Sequence, residues 1–253
     1  MSMDLRALTE LNEKRRAIQP LLSPTDPADA VASYYALWHD PRRTQLIVHY
    51  DARRKADGFL AACQTGADLF RPLVVLRAPG QAVAVELLST ALTPLRPYLI
   101  LVPLALASAV RETMELTRAT SARLYCLDPS RFEPVLNVLV QRVASAEGTL
   151  RFQIESQGQI MAMAGTNWHS PRFAEIFVYV HPGARERGWG KSVVSACTAA
   201  LLEEGLRPLY LAEEGNDASI RLAESLGYTD TGWREFIAEG RMRGEALIRS
   251  ESE

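Results

Sequence analysis

Val178-Tyr179-Val180-His181-Pro182-Gly183-Ala184-Arg185-Glu186-Arg187-Gly188-Trp189-Gly190-Lys191-Ser192 is the stretch on which the reading of this chain turns. It joins an apolar run, as a buried strand has, to a glycine-bearing turn that opens a helix. The first N–H groups of a helix lack partners within it, and the helix dipole places partial positive charge there. Such a junction holds anions, phosphates above all. Glycine lets the backbone approach a phosphate with no Cβ in the way, and Arg185, Arg187 and Lys191 add positive charge. Two nucleotide-binding loops of this kind fail on single residues. A P-loop, G-x-x-x-x-G-K-[ST], ends correctly at Gly190-Lys191-Ser192 but needs glycine where Arg185 stands. A dinucleotide fingerprint, G-x-G-x-x-G, begins at Gly188 and Gly190 but meets Val193 at its third glycine.

A third pattern, R/Q-x-x-G-x-G/A behind a strand ending near V-x-P, is complete: Arg185 to Gly190 follow Val180-His181-Pro182. A second pattern follows in order, Asn216-Asp217-Ala218-Ser219-Ile220 leading to Leu226-Gly227-Tyr228, with a strand and a helix of suitable length between the two. On these residues the chain resembles the GNAT acetyltransferase superfamily over roughly residues 119–253. The resemblance implies a GNAT fold of α/β (α+β layered) class, a central mixed, mostly antiparallel sheet flanked by helices. It implies acetyl-CoA (coenzyme A) as co-substrate, with no metal, and an amine acceptor attacked directly on the thioester. The coenzyme site carried over comprises Arg185, Glu186, Arg187, Gly188, Trp189, Gly190, Lys191 and Ser192, with Arg187, Gly188, Trp189, Gly190 and Lys191 on the pyrophosphate. Val178, Tyr179 and Val180 would lie along the pantetheine arm, with Asn216 near the thiol end and Ser219 on the arm. Plainer roles stand beside these: Asn216 as a helix N-cap, Trp189 as packing over the loop, Lys191 as a solvated first-turn residue.

Glu175 lies inside the apolar run Phe173 to Val180, where a carboxylate is costly without a partner or a task. Several GNAT enzymes carry their general base at this A-E-I position, so the resemblance makes Glu175 the catalytic candidate. A hydrogen-bonded structural glutamate is the alternative. One position departs from the family. Many members place a tyrosine five residues before the aromatic that ends the second pattern, as acid for the departing thiolate; here that position is Ala223. The departure supports a rival function, a non-catalytic acyl-CoA-binding sensor or assembly module.

Outside this region the sequence is less specific. Hydrophobic residues make up 47% of the 253 and charged ones 23%, which is ordinary for a packed globular protein. A net charge of −2 gives no electrostatic reason to expect nucleic acid or an anionic membrane. The longest mostly apolar run, Leu99 to Val110, is too short to span a bilayer. Cys63, Cys126 and Cys197 form no CxxC pair, which suits a reducing cytoplasm and argues against a zinc site. A homodimer is compatible with all of this.

Pattern and turn chemistry predict a first half made of a helix over Ala30–Trp38, strands over Gln45–Tyr50 and Gly58–Cys63, a strand over Leu73–Leu76, a helix over Ala82–Leu92, a strand over Tyr98–Val102 and a helix over Leu104–Met114. The second half repeats much of this order. It has a strand over Ala122–Leu127, a helix from Pro129 to about Ala144 capped by Asp128, a hairpin about Ser156-Gln157-Gly158, and the strand Phe173–Val180. A helix over Gly190–Glu204, a strand over Leu209–Ala212, a helix over Asn216–Leu226 and a strand over Tyr228–Ile237 complete it. Two related units joined near residues 115–121 are expected, a degenerate GNAT-like domain over 1–118 and a catalytic one over 119–253. The first lacks the loop, since Arg77-Ala78-Pro79-Gly80-Gln81 offers one glycine and a proline without an N–H.

Overall fold

The computed structural model describes residues 5–66, 68–144 and 149–244. Contacts divide the chain into two compact units, one running to Ala122 and resuming at Arg234, the other spanning Arg123–Trp233.

The first unit starts with α1 (Leu5–Ile18), whose Leu11 and Ile18 are buried, and α2 (Pro27–Ser33), extended by a π turn over Tyr34–Trp38. The strands β1 (Thr44–Tyr50) and β2 (Ala56–Cys63) pair as an antiparallel hairpin, and β3 (Leu73–Arg77) joins β2 antiparallel. Behind the Pro79-Gly80 break, α3 (Gln81–Ala91) returns the chain to β4 (Pro97–Pro103), parallel to β3. A short α4 (Ala107–Thr113) and the long β5 (Met114–Leu127) follow. Alternation along β2 buries both faces. Leu60 and Ala62 belong to the core beneath α3, while the Cys63 thiol donates to the carbonyl of Tyr35 on the other side.

In the second unit, a hairpin of β7 (Leu150–Ser156) and β8 (Gln159–His169) turns at Gln157 and Gly158, both left-handed, as a tight hairpin turn demands. The short β6 (Gln141–Ala144) flanks β7, and β9 (Phe173–Val180) pairs antiparallel with β8. The helix α5 (Trp189–Glu203), closed by left-handed Gly205, leads to β10 (Arg207–Glu213), parallel to β9. After α6 (Asp217–Ser225), β11 (Tyr228–Met242) ends the described fold. One core holds Phe152, Ile154, Ala162, Ala164, Ala174 and Ile176 of the sheet against Val193, Val194, Cys197 and Leu201 of α5. The strand orders, β1-β2-β3-β4-β11-β5 in the first unit and β11-β5-β10-β9-β8-β7-β6 in the second, are mixed and mostly antiparallel, with helices packed on them.

Two expectations need correcting. No helix runs from Pro129 to Ala144: Asp128 caps a single 3-10 turn over Pro129–Arg131, irregular chain follows, and β6 closes the segment. Pro134 explains this, because it removes an N–H and disfavours helical geometry at Glu133. Residues 115–121, near which the two units are expected to join, lie within β5, and the division between the units falls just after them, at Ala122. The segment from Arg234 on, which follows the second pattern in sequence, packs with the first unit. There Glu235–Arg241 pairs antiparallel with Pro97–Pro103, and Phe236, Ala238 and Met242 enter the first unit's core.

That return has a measurable consequence. A fragment of residues 119–253 retains β11 but loses β4 and the apolar partners of Phe236, Ala238 and Met242, leaving an unpaired hydrophobic edge prone to aggregation. Expressed alone, it should be largely insoluble or unable to turn over acceptor. A soluble, fully active fragment with the thermal stability of the whole chain would show that the first unit is dispensable.

Candidate active site

The groove of the second unit lies where two parallel strands stop pairing. β9 and β10 run in register from Phe173↔Arg207 to Ile176↔Tyr210, and the pairing ends there. Beyond that point Val178, Tyr179 and Val180 on one side and α6 on the other line an opening of about 740 Å³. The N-terminus of α5 closes one end of it. The loop before α5 is left-handed at Glu186 and at Gly188, with Arg187 between them. Backbone of alternating hand turns successive N–H groups to one side, a nest for anions, and the unpartnered first-turn amides of α5 add to it.

The two glycines of this loop answer different demands. Gly188 has φ +73° with nothing within 4 Å of a would-be Cβ, so its requirement is conformational. Gly190 is buried, and a Cβ there would lie 2.9 Å from Val180 Cγ2 and 3.2 Å from Leu222 Cδ1. Its requirement is steric: it lets α5 come down onto β9 and α6.

Most residues expected from the sequence line this groove: Val178, Tyr179, Val180, Arg185, Glu186, Gly188, Trp189, Gly190, Lys191, Asn216 and Ser219. Arg187 is exposed, with its guanidinium over the ring of the lining residue Trp189, 5.2 Å from the centroid. Ser192 is turned away. Its N–H bonds to the Gly188 carbonyl, and its hydroxyl donates to the same oxygen while accepting from Asn137 Nδ2. It ties Asn137 to the first turn of α5. His181 accepts from the Gly183 N–H and so fixes the turn. Asn216 is indeed the N-cap of α6, its Oδ1 accepting from the Ser219 N–H.

Glu175 does not line the groove. It is 7% exposed, on the face of β9 opposite Ile176 and Val178. A β-bulge between Thr166 and Trp168 sets Asn167 and Trp168 against this one residue. Asn167 Nδ2 donates to one carboxylate oxygen at 2.6 Å and Trp168 Nε1 to the other at 3.0 Å. Burial holds the carboxyl above its ordinary pKa, and these two hydrogen bonds oppose the rise. A carboxylate has about four lone-pair sites, so two remain to accept a proton, and Asn167 on one side is exposed. Ala223 is fully buried in the core with no hydroxyl to offer.

Sequence reasoning missed Tyr210, Arg221 and Leu222, all at the groove. Tyr210 was legible only as a strand residue; that it stands where the parallel pair ends depends on register, which no motif carries.

The family model for the acetyltransferase (GNAT) family matches residues 118–228, the span that contains the divergent strands, the loop and α6. The chain contains a GNAT acetyltransferase domain. GNAT enzymes are acyltransferases that use acetyl-CoA. A search of curated proteins finds no match. Among solved structures, a GCN5-related N-acetyltransferase from Kribbella flavida is similar over 89% of this chain and 99% of its own, at 18% identity and TM-score 0.61. A GCN5-related N-acetyltransferase-like protein from Streptococcus suis is similar over 90% and 99%, at 15% identity and TM-score 0.56. A tandem GNAT protein from the clavulanic acid biosynthesis pathway covers 94% of this chain and 95% of its own, at 12% identity and TM-score 0.54. At such identities the likeness is one of fold. Among the described residues no helix is long and apolar enough to cross a membrane, and no cluster of His, Cys, Asp and Glu is placed to hold a metal ion.

Proposed function

We propose that the GNAT domain binds one acetyl-CoA in the groove between β9 and α6 and transfers the acetyl group directly to an amine. The observation that supports this most is the joining of two features in one groove: the amide-rich loop at Gly188 and the end of parallel pairing at Ile176↔Tyr210. The loop amides, Arg185 and Lys191 suit a pyrophosphate, and the free strand edge of Val178–Val180 suits an amide-bearing arm. An amine with a pKa near that of lysine, about 10.4, is mostly protonated at neutral pH and must lose a proton before attack. Glu175 takes that proton, directly or through a water at its Asn167 side. Strand amides stabilise the oxyanion that forms.

In this reading the first unit carries no coenzyme. β3 and β4 also stop pairing, after Val75↔Leu101, but there the Arg77 guanidinium donates to the carbonyls of Leu76 and Ala28 and pairs with Asp29. Arg77 is thus held between its own strand end and α2, and the first unit, without the glycine loop, is read as a degenerate GNAT-like half serving structure and acceptor selection. Three buried free cysteines fit a cytoplasmic protein.

The rival reading, a non-catalytic acyl-CoA sensor, is favoured by the loss of a hydroxyl at Ala223. Calorimetry with acetyl-CoA, followed by release of free coenzyme A against a panel of polyamines, aminoglycosides, amino acids and peptides, separates the two. Binding at one site per chain with amine-dependent release is the expected result. Binding with no release from any amine would favour the sensor, and two equivalent sites would refute the assignment of the halves.

A further inference from the structure

The hydroxyl missing at position 223 has a replacement on the neighbouring strand. Tyr210 is the last residue of β10 paired with β9, and it lines the groove at the point where the two strands separate. Its ring lies in the same core as Ala223 and Tyr228, 5.8 Å from the Tyr228 ring. Its hydroxyl is 2.8 Å from Ser219 Oγ. Ser219 and Ala223 are four apart on α6 and so share one helix face. Ala223 places only a methyl group on the helix face from which Ser219 reaches Tyr210.

We propose that Tyr210 donates its phenolic hydrogen bond to the coenzyme's sulfur and stabilises the thiolate as it leaves. The idea rests on acetyl-CoA occupying this groove. Either hydroxyl can donate in the Tyr210–Ser219 pair; in this role Ser219 donates to the phenolic oxygen, which leaves the phenol's own proton for the sulfur and polarises it. When the amine attacks the thioester carbon and the C–S bond breaks, the electron pair goes to sulfur. Burial holds the Tyr210 phenol above its ordinary pKa of about 10, which lies above that of a thiol, about 8.5. The phenol therefore keeps its proton and acts as a hydrogen-bond donor, and the thiolate takes its proton from solvent. The charged groups around the groove, Arg185, Glu186, Lys191 and Arg221, remain in every variant below.

The test needs no acceptor. Free coenzyme A is bound to the full chain, and its thiol is titrated by ultraviolet absorbance of the thiolate, as a difference against the complex with desulfo-coenzyme A. A charge-assisted hydrogen bond lost in Tyr210→Phe should raise the bound thiol's titration midpoint by about 1–2 pH units. Ser219→Ala, which keeps the phenol, should raise it less. Thermal melting confirms that both variants are folded. Equal midpoints in wild type and Tyr210→Phe, with coenzyme bound by both, would overturn this role and leave the coenzyme site standing. No binding of coenzyme A to the wild-type chain would overturn the site and this role together.

Discussion

Gly188→Asp should lower the affinity for acetyl-CoA by at least about 100-fold. Tenfold in affinity corresponds to about 1.4 kcal/mol, so the loss asked for is about 2.7 kcal/mol. Nothing lies within 4 Å of a Cβ at position 188, so the new side chain meets no clash, and its carboxylate is carried by a residue that lines the groove at the site proposed for the pyrophosphate. Two like charges about 4 Å apart repel by about 1 kcal/mol in water and about 4 kcal/mol near a protein surface, and a pyrophosphate carries more than one. The backbone contribution can be separated from the charge. Gly188 sits at φ +73°, a conformation that asparagine and aspartate tolerate better than other side chains. Gly188→Asn therefore introduces the same strain without the charge and should retain most of the affinity. Calorimetry of both variants at low and high salt checks the assignment, since the aspartate deficit shrinks as salt screens it. Unchanged binding by Gly188→Asp would remove the pyrophosphate from this loop.

Glu175→Gln should reduce kcat/KM by roughly 10²–10⁴-fold, the scale of general-base catalysis, while acetyl-CoA affinity stays near that of the wild type. The base works only when ionised, so wild-type kcat/KM should rise with pH through the carboxyl's pKa, held above its ordinary 4.5 by burial. The variant's deficit should narrow at high pH, where more amine is already neutral. A stability effect accompanies it and has a definite sign. A carboxyl whose pKa is raised on folding binds its proton more tightly in the native state. Its contribution to stability is present below about 4.5 and is lost as pH rises through the folded pKa. Glutamine removes that pH dependence. It also sets an NH₂ group against one of two donors, Asn167 Nδ2 or Trp168 Nε1, where an oxygen had accepted. Leaving one donor without its acceptor costs about 1–3 kcal/mol, so the variant should melt lower near neutral pH. A purely structural glutamate would show the melting change with an activity loss independent of pH. Wild-type turnover by Glu175→Gln would rule out the base.

Some of this protein is written in its sequence and some is not, and the division is physical. The loop from Arg185 to Gly190, the hairpin turn at Gln157-Gly158, the N-cap at Asn216 and the ends of α5 and α6 at Gly205 and Gly227 are local events. Each depends on the conformational freedom or hydrogen-bonding reach of one or two residues, and the motif states it. The same holds for Glu175, whose isolation among apolar residues shows that it needs partners. Which partners it has is not local: Asn167 and Trp168 both reach it because a bulge in β8 gives two residues to one, and a bulge is a property of pairing. Pro134 was visible, yet the capping signal at Asp128 suggested a helix that the backbone cannot continue past a missing N–H. The long-range decisions belong to the tertiary structure. The second half of β11 leaves the unit that precedes it in sequence because β4 offers it a ladder of backbone partners and an apolar bed for Phe236. Tyr210 meets Ser219 because register ends the β9–β10 pairing at that residue and α6 folds back over it. Hydrophobic pattern fixes which residues are buried in a strand; only the packed sheet decides which residues stand at the place where two strands part.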